Sequence, residues 1–151
     1  MDFYLVRHGE AKAEHEDPKR PLSDRGRKEV EKVARAVAAR EIRVAEILHS
    51  DKLRARQTGE ILGGFLSPEK TREIQGLAPE DDPMAAKAEL EAAEVPLMLV
   101  GHLPHLGRLA SLLVTGEAEN SVVEFPPAGV VCLSYANGEW RVRWTLTPEK
   151  V

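Results

Sequence analysis

The run Val95 to Val100 is apolar almost throughout. A half-exposed strand alternates apolar and polar residues, whereas a strand covered on both sheet faces reads as a continuous apolar run. This segment therefore predicts a central strand with packed layers above and below it. Pro104 fits the first turn of a following helix, whose apolar face is Leu106, Leu109, Ala110 and Leu113. The same strand-then-helix unit recurs upstream. Phe3 to Val6 reads as a buried strand ending at a glycine-containing turn. Ser23 then caps a helix with Val30, Val33, Ala34, Val37 and Ala38 at i, i+3, i+4, i+7, i+8 spacing. Ala45 to Leu48 is a second strand, Ser50 or Asp51 the next cap, and Leu53 to Phe65 a helix stopped by Gly63-Gly64 and Pro68. Thr71 to Ile74 gives a short third strand, and Met84 to Ala93 a helix by propensity. The order βαβαβαβα specifies an open α/β sheet with helices on both sides.

Beyond residue 115 the character changes. Gly116 to Gly129 is polar, contains Pro126-Pro127 and reads as a surface loop. Val130 to Tyr135, the turn Asn137-Gly138, and Trp140, Val142, Trp144 and Leu146 alternating with Arg141, Arg143 and Thr145 form a closing hairpin. The two tryptophans are expected in the core or on a sheet face. With 151 residues the chain has the size of one domain. The expected fold is α/β: a single-domain three-layer αβα sandwich over residues 1–151, with a mostly parallel sheet and a C-terminal antiparallel hairpin.

Net charge is −4, so no basic surplus exists to drive binding to nucleic acid or to an anionic membrane. Any anion must be held by a few placed cations. The one cysteine, Cys132, lies in the apolar run Val130 to Leu133 and reads as a small core residue; it cannot form an intrachain disulfide. The N-terminus meets Arg7-His8 without a basic leader or apolar h-region, and no stretch approaches the roughly 18 apolar residues of a membrane span. A cytoplasmic location is expected.

In open α/β sheets ligands bind outside the carboxyl ends of the strands. Arg7-His8-Gly9-Glu10 follows the first predicted strand, and His49-Ser50 the second, with Arg54 in the next helical turn. Gly101-His102 follows the most apolar strand, ahead of a helix N-terminus. Two arginines and two histidines from distant parts of the chain are thus expected on one rim. Guanidinium forks bind phosphoryl oxygens bidentately, and a helix N-terminus adds backbone donors. Gly9, lacking a Cβ, is expected to let the backbone approach the anion. A neutral imidazole beside a phosphoryl group can attack phosphorus, and surrounding positive charge favours the neutral ring.

Metal binding is the competing use of histidines. It fits poorly, because no H-x-x-x-H, H-E-x-x-H or carboxylate-rich spacing is present and two arginines would repel a divalent cation. His15 lies in a charged stretch and is expected to be exposed. His49 is expected to end a strand, and His105 to be structural.

Leu5-Val6-Arg7-His8-Gly9-Glu10-Ala11 resembles the signature of the histidine phosphatase superfamily, the phosphoglycerate mutase-like fold. Ser50-x-x-x-Arg54-Ala55-x-Gln57-Thr58 and Val100-Gly101-His102 are similar to its second and third motifs, in the expected order. Within it, Arg20-Pro21-Leu22-Ser23-x-x-Gly26 and His102-Leu103-Pro104-x-x-Gly107 resemble the SixA-type phosphohistidine phosphatases. The resemblance implies that His8 is phosphorylated as the nucleophile, that Arg7 and Arg54 hold the phosphoryl oxygens, and that His102 completes the pocket. It also implies that Arg20 adds a further contact and that neither metal nor organic cofactor is required.

Larger relatives carry a glutamate as proton donor where this chain reads Leu77-Ala78-Pro79-Glu80-Asp81-Asp82. Glu80, Asp81 or neither can fill that role, and both acids also suit the N-terminus of the following helix. An imidazole leaving group needs a proton less than an alkoxide does, and the span from Leu77 to Val95 leaves no room for a large covering insertion. Both features point to phosphohistidine on a phosphotransfer protein as substrate. The alternatives are a small phosphorylated metabolite or, with no turnover, simple phosphate recognition.

Overall fold

The computed structural model describes residues 1–151. Six strands form one sheet: β1 (Asp2–Arg7), β2 (Glu46–His49), β3 (Lys70–Glu73), β4 (Leu97–Gly101), β5 (Val130–Ala136) and β6 (Glu139–Leu146), in the order β3-β2-β4-β1-β5-β6. The first four are parallel, and β5 runs antiparallel to both β1 and β6. Four helices connect them: α1 (Asp24–Ala39), α2 (Leu53–Leu66), α3 (Pro83–Ala92) and α4 (His105–Thr115).

Strand alternation sorts the core into two layers. Tyr4, Val6, Ile47, Met98 and Val100 pack with Val30, Val33, Ala34 and Val37 of α1 and with Ala55 and Leu62 of α2. Phe3, Leu5, Leu48, Leu97 and Leu99 face the other way, onto Ala86 and Leu90 of α3 and Leu106, Leu109, Ala110 and Leu113 of α4. This is the expected αβα sandwich. Every residue of β4 is buried, as a strand with neighbours on both edges and helices on both faces requires.

Several boundaries differ from expectation for identifiable reasons. The central strand begins at Leu97, and Val95, outside it, is 43% exposed. Ser23 caps α1 as expected, its Oγ accepting from the Gly26 amide. Neither Ser50 nor Asp51 is the cap of α2: Lys52 occupies that position without a side-chain cap bond. Gly63-Gly64 does not stop α2, which continues to Leu66. The small residue lets the helix approach β3, since a Cβ on Gly63 would lie 3.0 Å from Thr71 Oγ1. The helix ends instead where Ser67 turns left-handed, at φ 49°, ahead of Pro68, because a residue preceding proline is disfavoured in the helical region. Pro104 precedes α4 as its N-cap instead of lying within its first turn.

The hairpin alternation is broken by a bulge: Cys132 pairs with Trp144 but Leu133 with Val142, leaving Arg143 as the extra residue. Trp140 therefore packs in the α3/α4 layer against Phe3, and Trp144 against the opposite layer, 6.0 Å from Tyr4. Cys132 is fully buried.

Candidate active site

The strand order brings the chemistry together. β4 lies between β1 and β2, so the segments leaving these three strands meet at one end of the sheet. Register fixes the first pair: Arg7 stands opposite Gly101, and the His8 amide donates to the Gly101 carbonyl at 3.0 Å. Arg7 is held from the other side by its amide to the Gly129 carbonyl and by the Ala128 amide to its own carbonyl. The His8 and His102 ring centroids lie 4.9 Å apart, tilted by 55°.

Each side chain is oriented by defined partners. Arg7 Nη1 donates to the Phe125 carbonyl at 2.9 Å, so the loop of residues 116–129 supplies one wall of the site. His8 Nδ1 lies 2.7 Å from the Gly9 carbonyl. A carbonyl only accepts, so Nδ1 carries the proton and Nε2 keeps its lone pair. Burial, and then the charges of Arg54, Arg7 and Arg20, push the His8 pKa down to about 4. His102, 2% exposed, is pushed down to about 3 by burial first and then by His8 and Arg54. Both rings are therefore neutral at neutral pH.

The donors show what the site lacks. Arg7 Nε, Arg54 Nε and His102 Nδ1 are enclosed and have no hydrogen-bond partner. Burying an unpaired donor costs about 1–3 kcal/mol, more for a charged group, so the two guanidinium donors mark a position built for an acceptor. Burial lowers the pKa of both guanidiniums. Arg20, at φ 49°, ties its Nε to the Lys12 carbonyl, and its charge lowers the pKa values of both His8 and Arg54.

The expected role of Gly9 is corrected. A Cβ there would lie 2.6 Å from Val30 Cγ2 and 3.0 Å from the Gly26 carbonyl, so helix packing against α1 is what requires glycine. Its amide is also committed, donating to Thr58 Oγ1 at 3.1 Å. Thr58 in turn donates to the Arg54 carbonyl at 2.8 Å. The sequence places Thr58 and Ser50 in a family motif and offers Ser50 as a helix cap, but gives neither a place in the site; Ser50 Oγ lies 2.6 Å from His102 Nε2. Part of the spacing carries a signal: Arg54 and Thr58, four residues apart on α2, share one face, whereas Ser50 precedes the helix.

The remaining candidates separate. His49 ends β2, with Nδ1 against the Ser50 carbonyl, and His105 is fully buried in the α3/α4 side of the molecule, one residue past Pro104. Asp82 caps α3 through the Met84 amide, and Asp81 Oδ2 accepts from the Ala78 amide. Glu80 is exposed and makes no hydrogen bond or ion pair. The loop carrying these acids crosses the end of β4, where a Cβ on Gly101 would lie 3.5 Å from the Leu77 carbonyl. No three His, Cys, Asp or Glu side chains gather in a way that could hold a metal ion. A groove of about 1250 Å³, lined in part by Leu103, Pro104, Phe125 and Pro126, is separate from the site: none of Arg7, His8, Arg54 and His102 lines it.

Residues 3–78 match the model of the histidine phosphatase superfamily, branch 1. An uncharacterized protein of Picosynechococcus sp. is 36% identical over 140 residues, covering 88% of this chain and 84% of that one. The phosphohistidine phosphatase SixA of Escherichia coli K12 is 28% identical over 98% of this chain and 94% of its own. Among solved structures, the protein histidine phosphatase SixA complexed with tungstate superposes with a TM-score of 0.87 at 26% identity, covering 98% of this chain and 97% of that one.

Proposed function

The chain belongs to the histidine phosphatase superfamily and is a phosphatase, and from that premise we propose that His8 is its nucleophile and phosphohistidine on a phosphotransfer protein its substrate. The observation that carries the catalytic reading is the pair of enclosed, unpaired Nε donors on Arg7 and Arg54, together with the unpaired His102 Nδ1, beside a neutral His8. A tetrahedral phosphoryl group presents the acceptors those donors lack.

In the first step the His8 Nε2 lone pair attacks phosphorus in line. The Nε2–P bond forms as the P–N bond to the substrate imidazole breaks, and the departing nitrogen takes a proton from solvent or a nearby acid. Arg7 and Arg54 hold the equatorial oxygens where charge gathers. In the second step water attacks the same phosphorus, loses a proton, and releases inorganic phosphate and neutral His8. Neither step calls on a metal or organic cofactor.

Two features support a protein substrate. The stretch from Leu77 to Leu97 holds one loop and one short helix with no covering insertion, and a similar chain is named a phosphohistidine phosphatase. A second reading, hydrolysis of a small phosphate ester, is favoured by one observation: the Glu80 side chain is exposed and engaged by no partner, so that its carboxylic acid form is free to act as proton donor. The test compares turnover of a phosphorylated histidine-phosphotransfer domain with that of p-nitrophenyl phosphate and sugar phosphates. Wild type is expected to prefer the phosphoprotein, Glu80→Gln to retain that activity, and His8→Ala to lose it together with acid-labile phosphoenzyme. Loss of ester turnover alone in Glu80→Gln, with esters the better substrates, supports the second reading. Phosphate binding without any phosphoenzyme would leave only a recognition module.

A further inference from the structure

The two histidines of the site are held through different nitrogens. His8 is held at Nδ1 by the Gly9 carbonyl, which leaves Nε2 as the nucleophile. His102 is held at Nε2 by Ser50 Oγ, at 2.6 Å, which leaves Nδ1 enclosed and unpaired. Ser50 is itself 1% exposed, and its Oγ accepts the Lys52 amide at 3.3 Å.

We propose that Ser50 is a positioning residue: its hydroxyl donates to His102 Nε2, fixing the Nδ1–H tautomer, so that His102 meets the phosphoryl group as a neutral donor. This rests on the reading of His8 as nucleophile. The partners favour one direction: Ser50 Oγ already accepts the Lys52 amide, and the one acceptor beside its own buried proton is His102 Nε2. Were Nε2 to donate instead, the Ser50 proton would be left without a partner, whereas a neutral ring accepting at Nε2 carries its proton at Nδ1. With the proton on Nε2 instead, Nδ1 would present a lone pair to the phosphoryl oxygens, a repulsive contact where charge develops. The pair is thereby divided, with His8 offering a lone pair and His102 offering a proton. The depressed pKa of His102 is consistent with this, because an imidazolium would donate from both nitrogens whatever Ser50 did.

Ser50, just ahead of α2, holds His102, and Thr58 on α2 holds the Gly9 amide next to His8, so the segment that carries Arg54 also touches the supports of both rings.

The test uses the full chain with nitrogen-15 histidine at neutral pH. Two-bond proton–nitrogen correlations are expected to show His102 with a protonated Nδ1 and a bare Nε2, and His8 likewise protonated at Nδ1. Ser50→Ala is expected to mix the His102 tautomers and to slow phospho-His8 formation from phosphoramidate by roughly ten- to a hundredfold, as when an orienting partner is removed from a working histidine, with KM little changed. A His102 protonated at Nε2 in the wild type overturns the proposal, and so does a Ser50→Ala rate equal to wild type. Should Ser50→Ala not fold, the wild-type spectrum alone decides. A His8→Ala arm separates the parent reading: undiminished phosphoenzyme there would remove His8 as nucleophile whatever Ser50 does.

Discussion

At the residue scale the site is defined by imidazoles kept neutral and by guanidiniums whose Nε donors are enclosed without a partner. Desolvation is the largest influence on both histidines, and neighbouring positive charge adds to it. The consequence for pH is specific. An ordinary histidine nucleophile loses half its competent form near pH 6.5, whereas His8, pushed down to about 4, stays neutral far below that. The acid limb of kcat/KM, which reports ionisations of the free enzyme, is expected to break near pH 4, and a break near 6.5 would contradict the burial argument. Stability follows the same sign. The unfolded chain takes up protons at these rings as pH falls below about 6.5, while the folded chain resists until about 4 or lower. Their contribution is therefore complete above pH 6.5 and declines through that window, which urea titrations at several pH values measure.

At the element scale the glycines divide by what surrounds them. Gly26 lies in the first turn of α1, where a Cβ would fall 2.0 Å from the Glu10 carbonyl oxygen and 2.9 Å from the Glu10 amide nitrogen. Helix propensity alone would favour alanine there by about 1 kcal/mol. Contact with backbone cannot be relieved by a rotamer change, so Gly26→Ala is expected to destabilise by about 1–3 kcal/mol and to reduce activity by moving the segment after His8. Gly64, exposed in α2 with nothing within 4 Å of its missing Cβ, gives the opposite expectation. Gly64→Ala is expected to add about 1 kcal/mol and leave activity unchanged. Denaturant midpoints and phosphatase assays on the two variants check both signs. Neither glycine's environment could be read from the sequence: both lie in helices, and what separates them is a loop from elsewhere in the chain.

At the scale of the whole molecule, one sheet runs through the chain and both of its faces are covered. The two core layers share every strand of the sheet except β3, so neither can open without exposing the other. We propose that residues 1–151 behave as one folding and functional unit. Fluorescence of Trp140 and Trp144, which lie in opposite layers, and far-ultraviolet circular dichroism are expected to report one coincident unfolding transition. Separate transitions for the two signals would divide the molecule. No helix is long and apolar enough to cross a membrane.

The strand-helix order, the two-sided burial of the central strand, the Ser23 cap and the polar residues at the strand ends were all legible in the sequence, because each depends on residues within a few positions of one another. The stop of α2 at Pro68 was legible too, but the passage of Gly63 through the helix against β3 and the bulge at Arg143 were not, since contacts with other strands decided them. So it was with the site. Arg7, His8, Arg54 and His102 could be named from their places after strands and in motifs, but that β4 stands between β1 and β2 is a matter of topology. Which imidazole nitrogen is held, which donors stay empty, and whether Gly9 serves an anion or a helix were likewise settled by tertiary structure. Hydrogen bonds and close packing act over a few ångströms between segments tens of residues apart, and no local pattern records those distances.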